Sequence, residues 1–436
     1  MQRRRGCFLG GIIAVVSLCL VGTLAYQIPP IYDSLAWRVE GLIAKVKYTF
    51  NPPEEAIFLP QEPNLTPTGT FEPATMPSEG VPTSSPAGNP AESVTQTETI
   101  TPSPTPTITP TPLPSAVYLK GVFHEYQRWN NCGPATLSMA LSYWSWNKRQ
   151  IVAADYLKPN QRDKNVSPYE MENFVSEETD LRLLWRMGGE LHLLKHLIAN
   201  GFPVMVEKGF TGPSFDGWMG HYEVFNGYDD VQQVFIAQDS YNGPDYHVSY
   251  DSLIFDWRAF NFTFLVPYPP EREEEVMLLL GPWADTDWAY RHAKEIAQAE
   301  VQELEGLSLY FAWFNLGTSH VRLYEYVDAA YAYDYAFTLY ANLPAEERPW
   351  RMIWYQTGPY WAYYYSGRYQ DVINLANTTL NAMSEPNLEE SYYWRGLARE
   401  ALGNVDMAID DLRIAVYYNS NFTPGWDQLK RLQGGG

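Results

Sequence analysis

Cysteine is the scarcest informative residue in this chain of 436 residues, with three copies: Cys7, Cys19 and Cys132. Cys7 and Cys19 lie beside or within an apolar N-terminal stretch, so the rest of the chain holds one thiol and cannot close an internal disulfide. A lone thiol in an exported chain is a candidate reactive group. Positive charge is also short: 30 Lys and Arg stand against 51 Asp and Glu, a net charge of −21. That balance excludes a nucleic-acid partner, since binding phosphate needs a basic face. No Gly-x4-Gly-Lys-Ser/Thr stretch is present, so no nucleotide-driven step is implied. No cofactor is called for.

The first charged gap is equally informative. After Arg3-Arg4-Arg5 no charge occurs until Asp33, and Phe8 to Tyr26 is nearly all apolar. Such a run is long enough to cross a bilayer, and the leading arginines place residues 1–7 in the cytoplasm. Its length favours an uncleaved anchor over 8–26, while a cut after Thr23-Leu24-Ala25 is the alternative. The expected location is a single-pass protein of the cell membrane with all later domains extracytoplasmic. Residues 27–50 form a juxtamembrane segment, with 35–47 equally readable as an interfacial amphipathic helix or plain chain.

Residues 51–115 contain no Lys or Arg and are dominated by Pro, Thr, Ser and Glu. Apolar content there is too low for a core, and at ~3.1 Å per residue an extended stalk reaches on the order of 200 Å. The sequence predicts a disordered spacer.

Residues 116–269 read as one α+β domain. Helices are expected over 134–146, 148–156, 168–177 and 190–200. Strands are expected over 181–187, 203–208, 221–228, 233–239 and 261–267, from their β-branched and aromatic content and their Gly, Asn and Asp borders. An acidic joint at Arg272-Glu273-Glu274-Glu275 leads into 283–432, where no strand pattern occurs. Trp313-x2-Leu316-Gly317 is followed by Ala329, Tyr333 and Ala336 at offsets of 12, 16 and 19 from the glycine. The same offsets from Gly396 reach Ala408, Leu412 and Ala415, with a weaker copy over 360–383 around Gly367. The pattern resembles tetratricopeptide repeats, whose period is about 34 residues. That resemblance implies an all-α helical repeat domain that binds a protein partner or substrate.

Cys132 opens the helix that runs on from Pro134, where the helix dipole favours a thiolate; alone, it is more readily a small buried thiol at a helix start. A nucleophilic thiol needs a base, an orienting group and an oxyanion donor. Among the histidines beyond residue 115, His192 and His196 share a helix face without a third metal ligand, and His292 and His320 fall in the helical region. His221 opens a strand directly after Gly217-Trp218-Met219-Gly220. With a turn at Asp229-Asp230, the next strand returns Asp239 beside it, a cross-strand His–carboxylate pair. Glu223 shares the His221 side of that strand and is expected to face solvent. The alternatives are raising the His221 pKa or binding a basic substrate group.

Gln127-x4-Cys132-Gly133-Pro134-Ala135, then Gly220-His221-Tyr222, then Asp239-Ser240-Tyr241-Asn242-Gly243 resembles the papain-like cysteine peptidases that process bacteriocins, and their exported relatives. The resemblance covers about residues 118–268. It implies Cys132 as nucleophile, His221 as general base and Asp239 as its orienting carboxylate. It also implies an oxyanion hole of the Gln127 amide and the Cys132 N–H, with no metal. The expected activity is hydrolysis of a peptide or protein substrate. A silent peptidase-like adaptor for surface assembly and a cell-wall amidase or acyl transferase are the alternatives.

Overall fold

The computed structural model describes residues 57–61, 112–160, 163, 165–212, 217–383 and 385–434, together with isolated positions before 51. The expected anchor at 8–26 lies outside the described residues, as do 27–50 and 51–115 apart from single positions and short ends. Among the described residues no helix is long and apolar enough to cross a membrane.

The first half is built on one antiparallel sheet. Its strands are β1 (Ala116–Tyr118), β2 (Arg182–Arg186), β3 (Val204–Thr211), β4 (Trp218–Asp229), β5 (Val234–Asp239), β6 (Gly243–Ser249) and β7 (Phe264–Tyr268), in the order β2-β7-β3-β4-β5-β6, with β1 beside β4. Helices α1 (Cys132–Ser142), α2 (Gln150–Leu157) and α3 (Pro168–Glu178) precede β2, and α4 (Leu191–Ala199) precedes β3. α3 begins where the sequence says it should: Pro168 occupies the first turn, and Ser167 with Glu170 forms a reciprocal capping box. α1 is buried along its whole length from Gly133 to Ser142. It packs on the sheet in a cluster with Met205, Tyr222, Val224 and Leu265, while Leu194, Phe202, Phe225 and Phe264 belong to a second cluster.

The β4–β5 turn sits further along than expected. Asp229 is still in β4, paired with Val234. Its carboxylate accepts from the Val231 and Gln232 N–H groups at 2.8 and 3.0 Å and so closes the turn beyond itself. The register also shifts by a bulge between Phe225 and Gly227. Three elements of this domain escaped the sequence reading, β1, β6 and α5 (Tyr250–Arg258). Ser249 caps α5 by accepting from the Ser252 N–H.

The acidic joint is not a linker. Residues Glu273–Leu280 form α6, which buries Val276 and Leu280. Arg272 spans back to the Asn200 carbonyl at 2.8 Å while holding Glu275.

The second half is helical: α7 (Thr286–Glu303), α8 (Gly306–Arg322), α9 (Tyr326–Asn342), α10 (Met352–Tyr355), α11 (Gly358–Tyr365), α12 (Tyr369–Asn381), α13 (Glu389–Ala401), α14 (Val405–Tyr418) and α15 (Thr423–Gly434). The small–large pattern marks the helix pairs. A Cβ on Gly317 would lie 2.8 Å from the Tyr333 ring, and one on Gly396 would lie 3.2 Å from the Ala408 carbonyl. Ala329, Tyr333 and Ala336 are buried on α9, as are Ala408, Leu412 and Ala415 on α14. The chain therefore joins an α+β sheet domain to an all-α region of paired helices. The helices are fastened to the sheet domain by Asn315 Nδ2 donating to the Arg258 carbonyl at 2.7 Å, and by Gln356 Nε2 donating to the Ala259 carbonyl at 2.6 Å.

Candidate active site

Cys132 is the first residue of α1, so its sulfur lies at the end where helical N–H groups have no helical partners. The helix is pinned to β4 by the Thr136 hydroxyl, which donates to the Tyr222 carbonyl at 2.9 Å. That clamp sets Cys132 beside His221, one residue before Tyr222. Sequence reasoning passed over Thr136, which carries no chemistry of its own.

His221 is 2 % exposed and Asp239 is fully buried. His221 Nε2 lies 3.3 Å from each Asp239 carboxylate oxygen. The ring's other nitrogen is left for the thiol, with which His221 makes a side-chain hydrogen bond. Asp239 is held in turn: its Oδ1 accepts from the Tyr241 and Asn242 N–H groups at 2.6 and 2.8 Å, and its Oδ2 from Asn242 Nδ2 at 3.0 Å. Its backbone carbonyl takes the His124 ring nitrogen at 2.8 Å. The Phe210 ring covers the imidazole at 5.3 Å between centroids.

The electrostatics favour a charged pair. Burial pulls the His221 imidazole down, but the Asp239 charge and hydrogen bond and the Cys132 sulfur raise it to about 10. Burial pushes the Cys132 thiol up, but the His221 hydrogen bond and charge, Lys158 and the Tyr222 N–H outweigh it and lower the pKa. Burial opposes the charge on Asp239 too, yet His221 holds the carboxyl well below the ordinary carboxylate range. An imidazolium between a thiolate and a carboxylate satisfies all three shifts.

Gln127 is brought to the same place. Its N–H donates to the Ser240 carbonyl at 2.9 Å, and its Oε1 accepts from the Ser240 hydroxyl at 2.9 Å. An amide whose oxygen is engaged presents its nitrogen as the donor. Cys132, His221, Asp239 and Gln127 thus meet around one loop–strand junction.

The expectation for Glu223 is overturned. It is fully buried, not solvent-facing. Lys208 Nζ lies 2.8 Å from Glu223 Oε1, on the neighbouring strand β3, and 3.4 Å from Asp256 Oδ2. Continuing the register Val224↔Gln238 by one residue sets Glu223 opposite Asp239, with His221 on the diagonal. Burial pushes the Glu223 carboxyl up, Lys208 pulls it down and Asp239 raises it again, to about 8. Ligand atoms of His221, Glu223 and Asp239 come within 4.8 Å of one another. The positive charge against that trio is the Lys208 ammonium. Glu223→Leu removes the nearer partner of this ammonium, 3 % exposed, leaving Asp256 at 3.4 Å, and is expected to cost about 3 kcal/mol in denaturant unfolding. Adding Lys208→Met should restore most of the loss if the pair is coupled.

His192 and His196 do not converge on a metal: His192 Nδ1 pairs with Glu190 Oε2 at 3.0 Å, and Glu190 also receives His292 at 2.9 Å.

Residues 119–263 match the model of the Peptidase_C39 like family. Among solved structures, the chain is similar to a protein from Bacillus anthracis described as a C39-like peptidase. The two share 14 % identity, 35 % of this chain and 96 % of that one are covered, and the TM-score is 0.29. No curated protein matches the chain. Residues 119–263 are a papain-like domain of the C39 peptidase type.

Proposed function

We propose that the chain is an extracytoplasmic, membrane-tethered cysteine hydrolase that cleaves a peptide or protein substrate. The observation that carries the reading is the buried His221–Asp239 contact at 3.3 Å beside the sole thiol of the described residues. In this reading the Cys132 thiolate attacks the scissile carbonyl, and the Cys132 N–H and the Gln127 amide receive the oxyanion. His221 gives its proton to the leaving amine, which leaves an acyl-enzyme. His221 then takes a proton from water, which attacks the thioester and frees Cys132. The N-terminal segment 8–26 supplies the membrane tether, and the helix pairs supply a surface for a protein partner.

The pH dependence follows from the cited shifts. The ion pair needs Cys132 deprotonated and His221 protonated, so kcat/KM is expected to hold through neutral pH and to fall as pH rises through about 10. Stability carries the same sign. His221 binds its proton more tightly folded than unfolded, so its contribution is complete below its ordinary value and fades toward about 10. A kcat/KM profile on a peptide substrate checks the first statement. A profile with no descending limb below pH 11 contradicts it.

A further inference from the structure

Ile57 to Pro60 lie far in sequence from the helical region, yet Phe58 belongs to its core. Phe58 is 5 % exposed, while Ile57 and Leu59 on either side are 43 % and 58 % exposed. A residue buried between two exposed ones is the anchor of its segment in the core. The Phe58 ring meets the Phe337 ring edge-on at 4.9 Å between centroids and lies 6.0 Å from Tyr363. The cleft around it is lined further by Tyr310, Trp350, Ile353 and Leu375.

The far end of the intervening stretch is also fastened. The Pro114 carbonyl accepts from the Tyr228 hydroxyl at 2.8 Å, and the Ser115 carbonyl accepts from the Asp230 N–H at 2.8 Å. Ala116–Tyr118 then pairs with β4. Both flanks of residues 61–112 are therefore attached to the same folded body. A stalk of 51–115 at full extension requires Phe58 to leave its cleft. The cleft also borders the strand that carries His221. Trp350 and Ile353 line it, and between them Arg351 Nη1 donates to the Trp218 carbonyl at 2.9 Å. The Tyr355 ring closes over Gly220, where a Cβ would approach it to 3.0 Å.

We propose that this cleft is a recognition site for an extended peptide bearing one phenylalanine between aliphatic residues and followed by proline. Its occupant is the chain's own segment 57–60. Seated, the segment is a latch that fixes the chain at residues 57–60 to the helical core; released, it leaves the cleft open. Attachment in the same chain raises the effective concentration of the segment at the cleft above that of a free peptide, so a single aromatic anchor suffices to keep the latch seated.

Photocrosslinking tests this without any claim about hydrolysis, in the full chain carrying Cys132→Ala. With 4-azidophenylalanine in place of Phe58, light is expected to link that position to α9 and α11 of the same molecule. The same group in place of the exposed Ile57 should give a several-fold lower yield. Equal yields at the two positions, or no link to those helices, would overturn the latch. Links joining two chains would overturn it as well and assign the cleft to a second copy. A labelled peptide of residues 55–62 should also bind the Phe58→Ala chain at least about tenfold more tightly than the parent, because the tethered competitor is gone. Equal binding to both would contradict the proposal.

Discussion

Cys132→Ala is expected to abolish peptide hydrolysis, with a loss of about 10⁴-fold or more in kcat, and to leave the fold in place. In the proposed mechanism the thiolate forms the acyl bond, and its loss removes the nucleophile. The structural cost should be small. Ala retains the Cβ, the α1 backbone is unchanged, and the Thr136–Tyr222 clamp at 2.9 Å does not involve the sulfur. About 1 kcal/mol or less of unfolding free energy is expected. The chain also holds Cys7 and Cys19, so label must be counted at each site by peptide mapping. Hydrolysis that persists in the variant would place the nucleophile elsewhere.

Asp239→Asn is the second large effect. The amide keeps the shape of the carboxylate but can offer an N–H where His221 Nε2 needs an acceptor. The imidazolium then loses its partner, and kcat is expected to fall about 10³- to 10⁴-fold. Asp239 also receives the Tyr241 and Asn242 N–H groups, so Asp239→Ala should open the loop as well and destabilise the fold by about 3 kcal/mol. The two variants separate the roles. Asn should lose activity with most stability kept, and Ala should lose both. An Asn variant that melts like the Ala variant and retains activity would mean that Asp239 serves the loop rather than His221. The depressed Asp239 pKa carries its own sign: its stabilising effect is present above the ordinary carboxylate range and is lost only in strong acid.

Much of this was legible from residue order. Pro168 behind Ser167 and before Glu170 marks a helix start by local chemistry, and α3 begins there. The pairing of His221 with Asp239 followed from strand spacing, although the turn it assumed was misplaced. Asp229 closes the turn with its own side chain, and the bulge at Phe225/Gly227 absorbs the difference, so a diagonal contact replaces a direct one.

What stayed hidden was long-range. Glu223 looks like a surface glutamate until Lys208, fifteen residues earlier, is brought beside it by the β3–β4 register Val206↔Glu223 and Lys208↔His221. Charge alternation along a strand cannot report a partner on the next one. Arg272 to Glu275 has the composition of a joint, but its helix buries Val276 and Leu280, and the short unbroken apolar run over 276–280 has no period to show which of its members face a core. Phe58 stands in a stretch whose composition excludes a core of its own. The core it joins is built from residues far along the chain, from Trp218 onward, Phe337 among them.

The reactivity of Cys132 toward iodoacetamide at neutral pH, resolved at that site in the full chain, tests the central claim most directly. A thiolate held by His221 should alkylate faster than free cysteine, because its pKa is lowered from the ordinary thiol value. His221→Ala should slow it to or below the free rate. Alkylation of the parent chain no faster than free cysteine, or unchanged by His221→Ala, would contradict the account.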